Sequence, residues 1–186
     1  MGTLVSSTSA LKKSRVLSIK IPAKHPSFYT DFLHQADLCD WWTVINGNPT
    51  IVNGKLKLAS SRVESAMMFT RQDIEISFEF EHDAGTSTTR MASIWLDNSN
   101  RYQLYYTGSR QRLSAVVGGS ETVLWDGPAE SPPNTHNWIW RRTGGTWYFY
   151  RDENLIASSA LFDPSHYYIR FGHDANIFYV NDLLIC

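Results

Sequence analysis

Apolar and polar residues alternate along most of this chain, and this period of two constrains the fold more than any other feature. In the clearest stretch Ile74, Ile76, Phe78 and Phe80 alternate with Glu and Ser. Successive side chains of a strand point to opposite faces, so the alternation predicts strands with one dry face and one wet face. The same alternation recurs in a second stretch, where the expected inward residues Ala92, Ile94 and Leu96 alternate with Met91, Ser93 and Trp95. Further expected inward sets are Leu113, Ala115 and Val117, then Tyr167, Ile169 and Phe171, and finally Leu183 and Ile185.

Short turn signals separate these strands. They include Asn46-Gly47, Asn53-Gly54, Thr107-Gly108, Gly118-Gly119, Gly144-Gly145 and Asn181-Asp182. Roughly a dozen short strands joined by such turns predict an all-β sandwich of two antiparallel sheets. One short helix is predicted around Tyr29 to Asp37. A surface loop is predicted from Asp126 to Asn137, because its prolines cannot donate hydrogen bonds to a sheet.

The composition narrows the function classes. The 186 residues carry 17 basic and 18 acidic side chains, a formal net charge of -1, without the basic stripe of a nucleic-acid binder. We see neither a signal peptide nor a membrane span. Cys39 and Cys186 lack metal-type spacing, so they are either two free thiols or a disulfide.

The first 25 residues differ from the remainder. They are rich in Ser, Thr and Lys, and only Leu17, Ile19 and Ile21 alternate like a strand. We therefore divide the chain into an N-terminal arm or edge segment, residues 1–25, and a sandwich domain, residues 26–186. The arm would dock on a neighbouring subunit or lie along its own sandwich.

The segment from Trp138 to Ala157 holds the most recognisable pattern: a Trp strand, a Gly turn, an aromatic strand that ends in an acidic turn, and an apolar return. Asn53-Gly54-Lys55-Leu56 and the ending Tyr168–Gly172 agree with it. This pattern resembles the concanavalin A-like superfamily of lectins and glucanases, including its laminin G-like domains. The resemblance covers about residues 28 to 186 and implies a jelly-roll sandwich.

One strand hints at catalysis. Glu75-Ile76-Ser77-Phe78-Glu79 is similar to the retaining glucanase motif of this superfamily, in which two Glu flank an Asp on one strand face. Ser77 stands at the central position, so the carboxylate that would tune the pair is missing. The acidic side chains of this strand are more simply explained as a solvent-exposed face. We therefore predict that the protein is not an enzyme. No metal or other cofactor is predicted, although Asp97, Asn98 and Asn100, or Asp174 and Asn176, offer oxygens for calcium.

The remaining indication of function is a set of aromatic and polar residues expected on the outer faces. By alternation, the residues expected outside and suited to ligand binding are Trp95, Gln103, Tyr105, Arg141 and Tyr148. Such a set suits a glycan or a partner protein equally well. The leading hypothesis is a lectin-like recognition or attachment module at a cell, phage or virus surface. The alternatives are a structural subunit of a virion or surface assembly, joined through residues 1–25, and a glycoside hydrolase.

Overall fold

The computed structural model describes residues 28–30, 42–70, 72–84, 88–172 and 176–185. These residues form sixteen β-strands, and the described part of the chain contains no helix. The strands are β1 Phe28–Thr30, β2 Trp42–Asn46, β3 Thr50–Val52, β4 Lys55–Ala59, β5 Arg62–Ser65, β6 Phe69–Thr70, β7 Ile74–Ala84, β8 Thr89–Asp97, β9 Asn100–Thr107, β10 Arg110–Val117, β11 Ser120–Ala129, β12 Asn134–Thr143, β13 Thr146–Arg151, β14 Asn154–Ser159, β15 His166–Phe171 and β16 Ile177–Ile185.

The strands form two eight-stranded sheets in which the paired strands run antiparallel. Sheet I has the order β14-β13-β12-β7-β16-β4-β3, and β1 also pairs with β16. Sheet II has the order β11-β10-β9-β8-β15-β5-β2, and β6 also pairs with β15. The predicted jelly-roll sandwich of two antiparallel sheets is therefore confirmed.

Aromatic side chains fill the space between the two sheets. Phe78 of sheet I meets Phe171 of sheet II edge to face, with ring centres 5.1 Å apart. Tyr102 of sheet II meets Phe149 of sheet I in the same way at 5.2 Å. Such edge-to-face pairs add to the free energy of burying the rings themselves, which is the main stabilising term of this core.

Strand β7 shows that the alternation identified the buried side correctly. Ile76 and Phe80 are fully buried and Phe78 is 2% exposed, whereas Glu75 and Glu79 are half-buried on the other side of the strand. The same alternation holds in β9, where Tyr102 and Leu104 lie in the core. The period of two thus fixes which face of each sheet meets its partner sheet.

Two residues point to the side opposite to the one that alternation predicted. Met91 was placed on the wet side of β8, but it is fully buried in the core. The pairing of β8 with β9 shifts between Arg90 and Ala92, and such a bulge changes which way the residues around it point. Val117 was placed inside, but it is 40% exposed because it ends β10 beside the Gly118-Gly119 turn.

Two predicted elements are wrong at least in part. Residues 28–30, the start of the predicted helix region, form strand β1 beside β16, and the rest of that region lies outside the described residues. The predicted loop from Asp126 to Asn137 is mostly strand, since β11 continues to Ala129 and β12 begins at Asn134. Strand β11 lies at the edge of sheet II, where a proline such as Pro128 is tolerated. Residues 1–25, Cys39 and Cys186 lie outside the described residues, as does Asp174.

Candidate functional site

The outer face of sheet II, turned away from the core, holds an unusual group of polar side chains. Alternation on β8, β9 and β10 sends apolar residues inward and leaves a polar set outside. Strand register then brings these outward residues into rows across the sheet, because Gln103 pairs with both Ser93 and Ser114, and Tyr105 pairs with both Arg90 and Arg112. We call these residues the sheet II face: Arg90, Ser93, Trp95, Arg101, Gln103, Tyr105, Arg112, Ser114, Val116, Glu121 and Arg170.

Gln103 is the centre of this face. Its Oε1 accepts hydrogen bonds from the Nε of Arg90 at 2.9 Å and from the Nε of Arg101 at 2.7 Å. Its Nε2 donates to Ser114 Oγ and to Glu121 Oε1, both at 3.2 Å. Cationic donors on one side and acceptors on the other determine the orientation of the amide. The Gln103 side chain is only 6% exposed, so the centre of this network is shielded from water, whereas Glu121 at its end is exposed.

Glu121 supplies the negative charge of the network. Its Oε1 accepts a hydrogen bond from Ser114 Oγ at 2.6 Å. Burial alone would raise the pKa of Glu121, but hydrogen bonds from Ser114, Tyr105 and Gln103, with the charge of Arg101, outweigh it and lower that pKa. The carboxylate is therefore ionised at neutral pH and acts as a hydrogen-bond acceptor.

Tyr105 links Glu121 to the edge of the face. Burial raises the pKa of Tyr105, more than its hydrogen bond with Arg112 lowers it, so the phenol stays protonated. Arg112 in turn bonds both carboxylate oxygens of Asp126, with its Nε at 3.2 Å and its Nη2 at 3.0 Å. Tyr105 thus presents a half-buried ring whose hydroxyl is already oriented.

Trp95 points to the outer face, as alternation predicted, but its ring is not open to solvent. Three guanidinium groups lie over it: those of Arg170, Arg90 and Arg101, at 4.1, 5.1 and 5.2 Å from the ring centre. Trp95 is consequently 5% exposed, and Arg170 is itself ion-paired with Glu64. Alternation correctly predicted that Trp95 points outward. It could not predict that the ring is covered, because the covering arginines lie on neighbouring strands.

A recess of about 260 Å³ opens beside this cluster, lined by Thr88, Thr89, Arg90, Gln103, Tyr105 and Glu121. Its walls offer the guanidinium of Arg90 as a donor and the carboxylate of Glu121 as an acceptor, next to the ring of Tyr105. Groups of this kind recognise hydroxyl-rich ligands, whose oxygens both donate and accept hydrogen bonds.

Sheet I carries the other two predicted ligand-binding residues. Arg141 pairs across the strands with Tyr148 and with Glu75, so Arg141 and Tyr148 lie together on the outer face of sheet I. The five predicted residues are therefore divided: Trp95, Gln103 and Tyr105 lie on one side of the sandwich, and Arg141 and Tyr148 lie on the opposite side. Alternation sorts residues into inside and outside, and it cannot distinguish one outer face from the other.

The outward glutamates of β7 form ion pairs with basic side chains. Arg141 Nε donates to Glu75 Oε2 at 2.7 Å, and this bond raises the pKa of Arg141. Lys55 Nζ lies 2.8 Å from Glu81 Oε2 and 3.4 Å from Glu79 Oε1. Glu75 and Glu79, the candidate catalytic pair, thus lie outward as predicted, and each is engaged by a basic side chain.

One candidate calcium turn uses its oxygens internally. Asp97 Oδ1 accepts hydrogen bonds from the backbone N–H of Ser99 at 2.7 Å and from Asn100 Nδ2 at 3.1 Å. These are the bonds by which an aspartate shapes its own turn. Within the described part of the chain, no three His, Cys, Asp or Glu side chains are grouped as metal ligands.

Sequence reasoning did not assign eight members of the sheet II face to the site: Arg90, Ser93, Arg101, Arg112, Ser114, Val116, Glu121 and Arg170. Nothing in the local sequence of Arg101 marked it as part of a cluster. Arg170 and Glu121 come from strands on either side of β8–β10 and join the cluster only through cross-strand register. The missing signal was strand order, which a single sequence does not reveal.

Comparison with known proteins identifies the fold. No protein-family model and no curated protein matches this sequence. Among solved structures, the Crh5 transglycosylase has a TM-score of 0.70 at 12% identity, over 86% of this chain and 83% of that one. The β-glucanase of Bacillus licheniformis has a TM-score of 0.62 at 11% identity, over 87% and 97%. The carbohydrate-binding module CBM66 of Bacillus subtilis has a TM-score of 0.57 at 12% identity, over 76% and 92%.

Within the described ranges, we find no helix that could span a membrane.

The sheet order, the aromatic core and these three similar structures agree with one another. The chain has the concanavalin A-like jelly-roll fold.

Proposed function

We propose that this protein is a non-catalytic, lectin-like module that binds glycans on the sheet II face. The observation that carries the proposal is the recess beside Gln103, Tyr105 and Glu121, in which donors and acceptors are held in place before any ligand arrives. Preorganised polar groups bind hydroxyls with little loss of conformational entropy. The similarity in fold to CBM66, a carbohydrate-binding module by name, supports the same class of ligand.

The predicted residues have different roles in this proposal. Tyr105 contacts the ligand directly through its ring and hydroxyl. Gln103, whose amide is already fully hydrogen-bonded, holds Arg90 and Glu121 in position around the recess. Trp95 supports the arginines that cover it and does not serve as an open stacking platform. Arg141 and Tyr148 lie on the opposite side of the sandwich and have no part in this site. We place the module at a cell, phage or virus surface, where attachment modules act.

The test is a glycan array with the purified protein, read with and without calcium. Tyr105→Ala should remove or strongly weaken the binding found with the wild type. Tyr148→Ala is the matched control, because it removes the same side chain from the outer face of sheet I. Absence of binding to any glycan would contradict the proposal. Loss of binding in Tyr148→Ala alone would move the site to sheet I.

Glycoside hydrolysis is a second candidate, supported by the names of two proteins of similar fold, a transglycosylase and a β-glucanase. It would use Glu75 and Glu79. An activity screen on β-glucans, with Glu75→Gln as control, separates it from the lectin proposal. Turnover that disappears in Glu75→Gln would establish the enzyme, and we expect no turnover in either protein.

Assembly is a third candidate, and an edge of the fold supports it. Strand β2 ends sheet II, and its Val44 and Ile45 are 46% and 40% exposed. Apolar residues on an exposed edge strand favour pairing with another chain. If residues 1–25 also contribute, deleting them should abolish a higher oligomer in light scattering and leave the circular dichroism spectrum of the sandwich unchanged. An unchanged oligomer would rule out this role for the arm.

A further inference from the structure

The edges of the two sheets differ in how well they are protected against pairing with another chain. Among the described residues, β14 and β3 end sheet I, and β11 and β2 end sheet II. Edge strands of natural proteins are commonly short, or carry charges and prolines that hinder such pairing. Strand β3 has only three residues, and β11 contains Glu121, Asp126 and Pro128. Both of these edges are therefore protected.

Strand β14 has neither a charge nor a proline among its six residues, Asn154–Ser159. Apolar surface also remains open at this edge, because Leu155 is 56% exposed and Leu161, just after the strand, is 55% exposed. Within the described part of the chain, β13 is the only strand that pairs with β14. The other edge of β14 can therefore accept a further strand.

A single bulge in β14 determines which of its residues share a face. The register between β13 and β14 shifts at Ile156. Leu155 and Ser158 pair across the strands with Tyr150 and Tyr148, which point outward from sheet I. The other paired residues of β14 lie opposite buried residues of β13. Leu155 and Ser158 are thus both outward, although they are three positions apart.

This arrangement makes β14 complementary to a second copy of itself. When two copies run antiparallel with all six residues paired, Leu155 of each copy lies opposite Ser158 of the other. Outward residues then meet outward residues, as one continuous sheet requires. Like charges do not meet, because the strand is uncharged and the adjacent Glu153 lies opposite Ala160. Self-complementarity of this kind is what a two-fold symmetric interface requires.

We propose that β14 is a homodimer interface, at which two copies of this chain join their sheets I into one continuous antiparallel sheet. The two-fold axis of such a pair is perpendicular to the joined sheet, so the two sheet II faces point in the same direction. One consequence rests on the glycan-binding function proposed above. The dimer presents two recesses to one glycan-bearing surface and binds it with avidity.

Analytical ultracentrifugation over a concentration series tests the interface. The wild type should show a reversible equilibrium between monomer and dimer. Leu155→Lys combined with Ser158→Lys sets lysine opposite lysine twice in the dimer and should weaken it about tenfold or more, because like charges directly opposite destabilise paired strands. Leu155→Lys combined with Ser158→Glu sets lysine opposite glutamate at the same positions and should restore most of the affinity.

Val44→Lys is the matched control at another sheet edge, because Val44 of β2 is also apolar and 46% exposed. It should leave the dimer intact. Circular dichroism and thermal unfolding should show that every variant keeps the fold, since Leu155 and Ser158 are both exposed in the single chain. If the double lysine variant does not fold, Ser158→Lys alone is the second variant and should still weaken the dimer.

The possible failures are distinguishable. A wild-type protein that stays monomeric at every concentration would overturn the inference, and so would a dimer that only Val44→Lys dissociates. A lysine–glutamate variant as weak as the double lysine variant would overturn it too, because the strands would then not meet in this register. The glycan array is a separate measurement. Absence of glycan binding by a protein that dimerises as expected would contradict the proposed function and leave the interface standing.

Discussion

The two outer faces of this sandwich are built from the same alternating strands, yet they differ in how their side chains interact. On sheet I, neighbouring residues form separate ion pairs, such as Glu75 with Arg141, and most of these side chains remain half-exposed. On sheet II, side chains from several strands converge on Gln103, which is 6% exposed, and on Trp95, which is 5% exposed. Outward direction alone therefore does not make a residue a surface residue.

This contrast has an energetic meaning. Ion pairs near the surface contribute little, since water already solvates both charges. A network that is shielded from water is costly to interrupt, because every group left behind loses its partner. Substitutions on the two faces should therefore differ in their effect on stability, and the following predictions are ordered from the largest effect to the smallest.

Trp95→Ala should destabilise the fold by about 3 kcal/mol, whereas Tyr148→Ala on the sheet I face should cost about 1 kcal/mol. The tryptophan is 5% exposed beneath three guanidinium groups, so its removal leaves a void under charged side chains. Urea unfolding of the two variants measures the difference. Equal costs would mean that Trp95 is an ordinary surface ring and that the two faces do not differ.

Gln103→Leu should cost about 2 to 3 kcal/mol, because the half-buried Arg90 and Arg101 each lose a hydrogen bond to a side chain that is only 6% exposed. Ser77→Ala, a change at an outward position of sheet I, should stay within about 0.5 kcal/mol of the wild type. Both values come from chemical denaturation. A neutral effect of Gln103→Leu would show that the network is solvated and not shielded.

Double-mutant cycles should separate the two kinds of pairing. We expect a coupling free energy of about 0.5 kcal/mol between Glu75 and Arg141 on sheet I. Between Ser114 and Glu121 on sheet II, whose oxygens are 2.6 Å apart, we expect about 1.5 kcal/mol. Removing each partner singly and together gives the coupling. A larger coupling on sheet I would reverse the comparison.

Glu121 should also affect the acid stability of the protein, though only slightly because its side chain is largely exposed. Its pKa in the folded protein lies below the ordinary value of 4.5. The group therefore contributes stability that is present above pH 4.5 and is lost as the pH falls through its folded pKa. Unfolding followed against pH should show a smaller loss below pH 4.5 in Glu121→Gln than in the wild type.

Ser114→Ala is the companion variant for that measurement. The hydrogen bond from Ser114 is the strongest of the influences that lower the pKa of Glu121, so its loss should reduce the acid effect without removing the carboxylate. An acid profile that stays the same in both variants would show that Glu121 does not contribute to it.

Much of the fold was predictable because it depends on local pattern. Ile76 and Phe78 identified the buried side of β7, and Gly144-Gly145 identified the turn between β12 and β13. The errors arose where a neighbouring strand overrides the pattern. Met91 turned inward at a bulge, and Pro128 was accommodated because its strand is at an edge.

The candidate site was predicted less well. Gln103 and Tyr105 were identified, but they were grouped with Arg141 and Tyr148 of the opposite face. The arginines over Trp95 come from β8, β9 and β15, and nothing in the local sequence of Arg170 relates it to Arg101. Strand order determines which outward residues meet.

The sequence by itself determined the class of fold and the direction of most side chains, because both follow from the period of two along each strand. Only the tertiary structure decided which outward residues lie on the same sheet, which of them are shielded from water and where the recess forms. The physical reason is that these properties depend on contacts between strands far apart in the chain, and hydrogen-bond register, not sequence distance, brings such residues together.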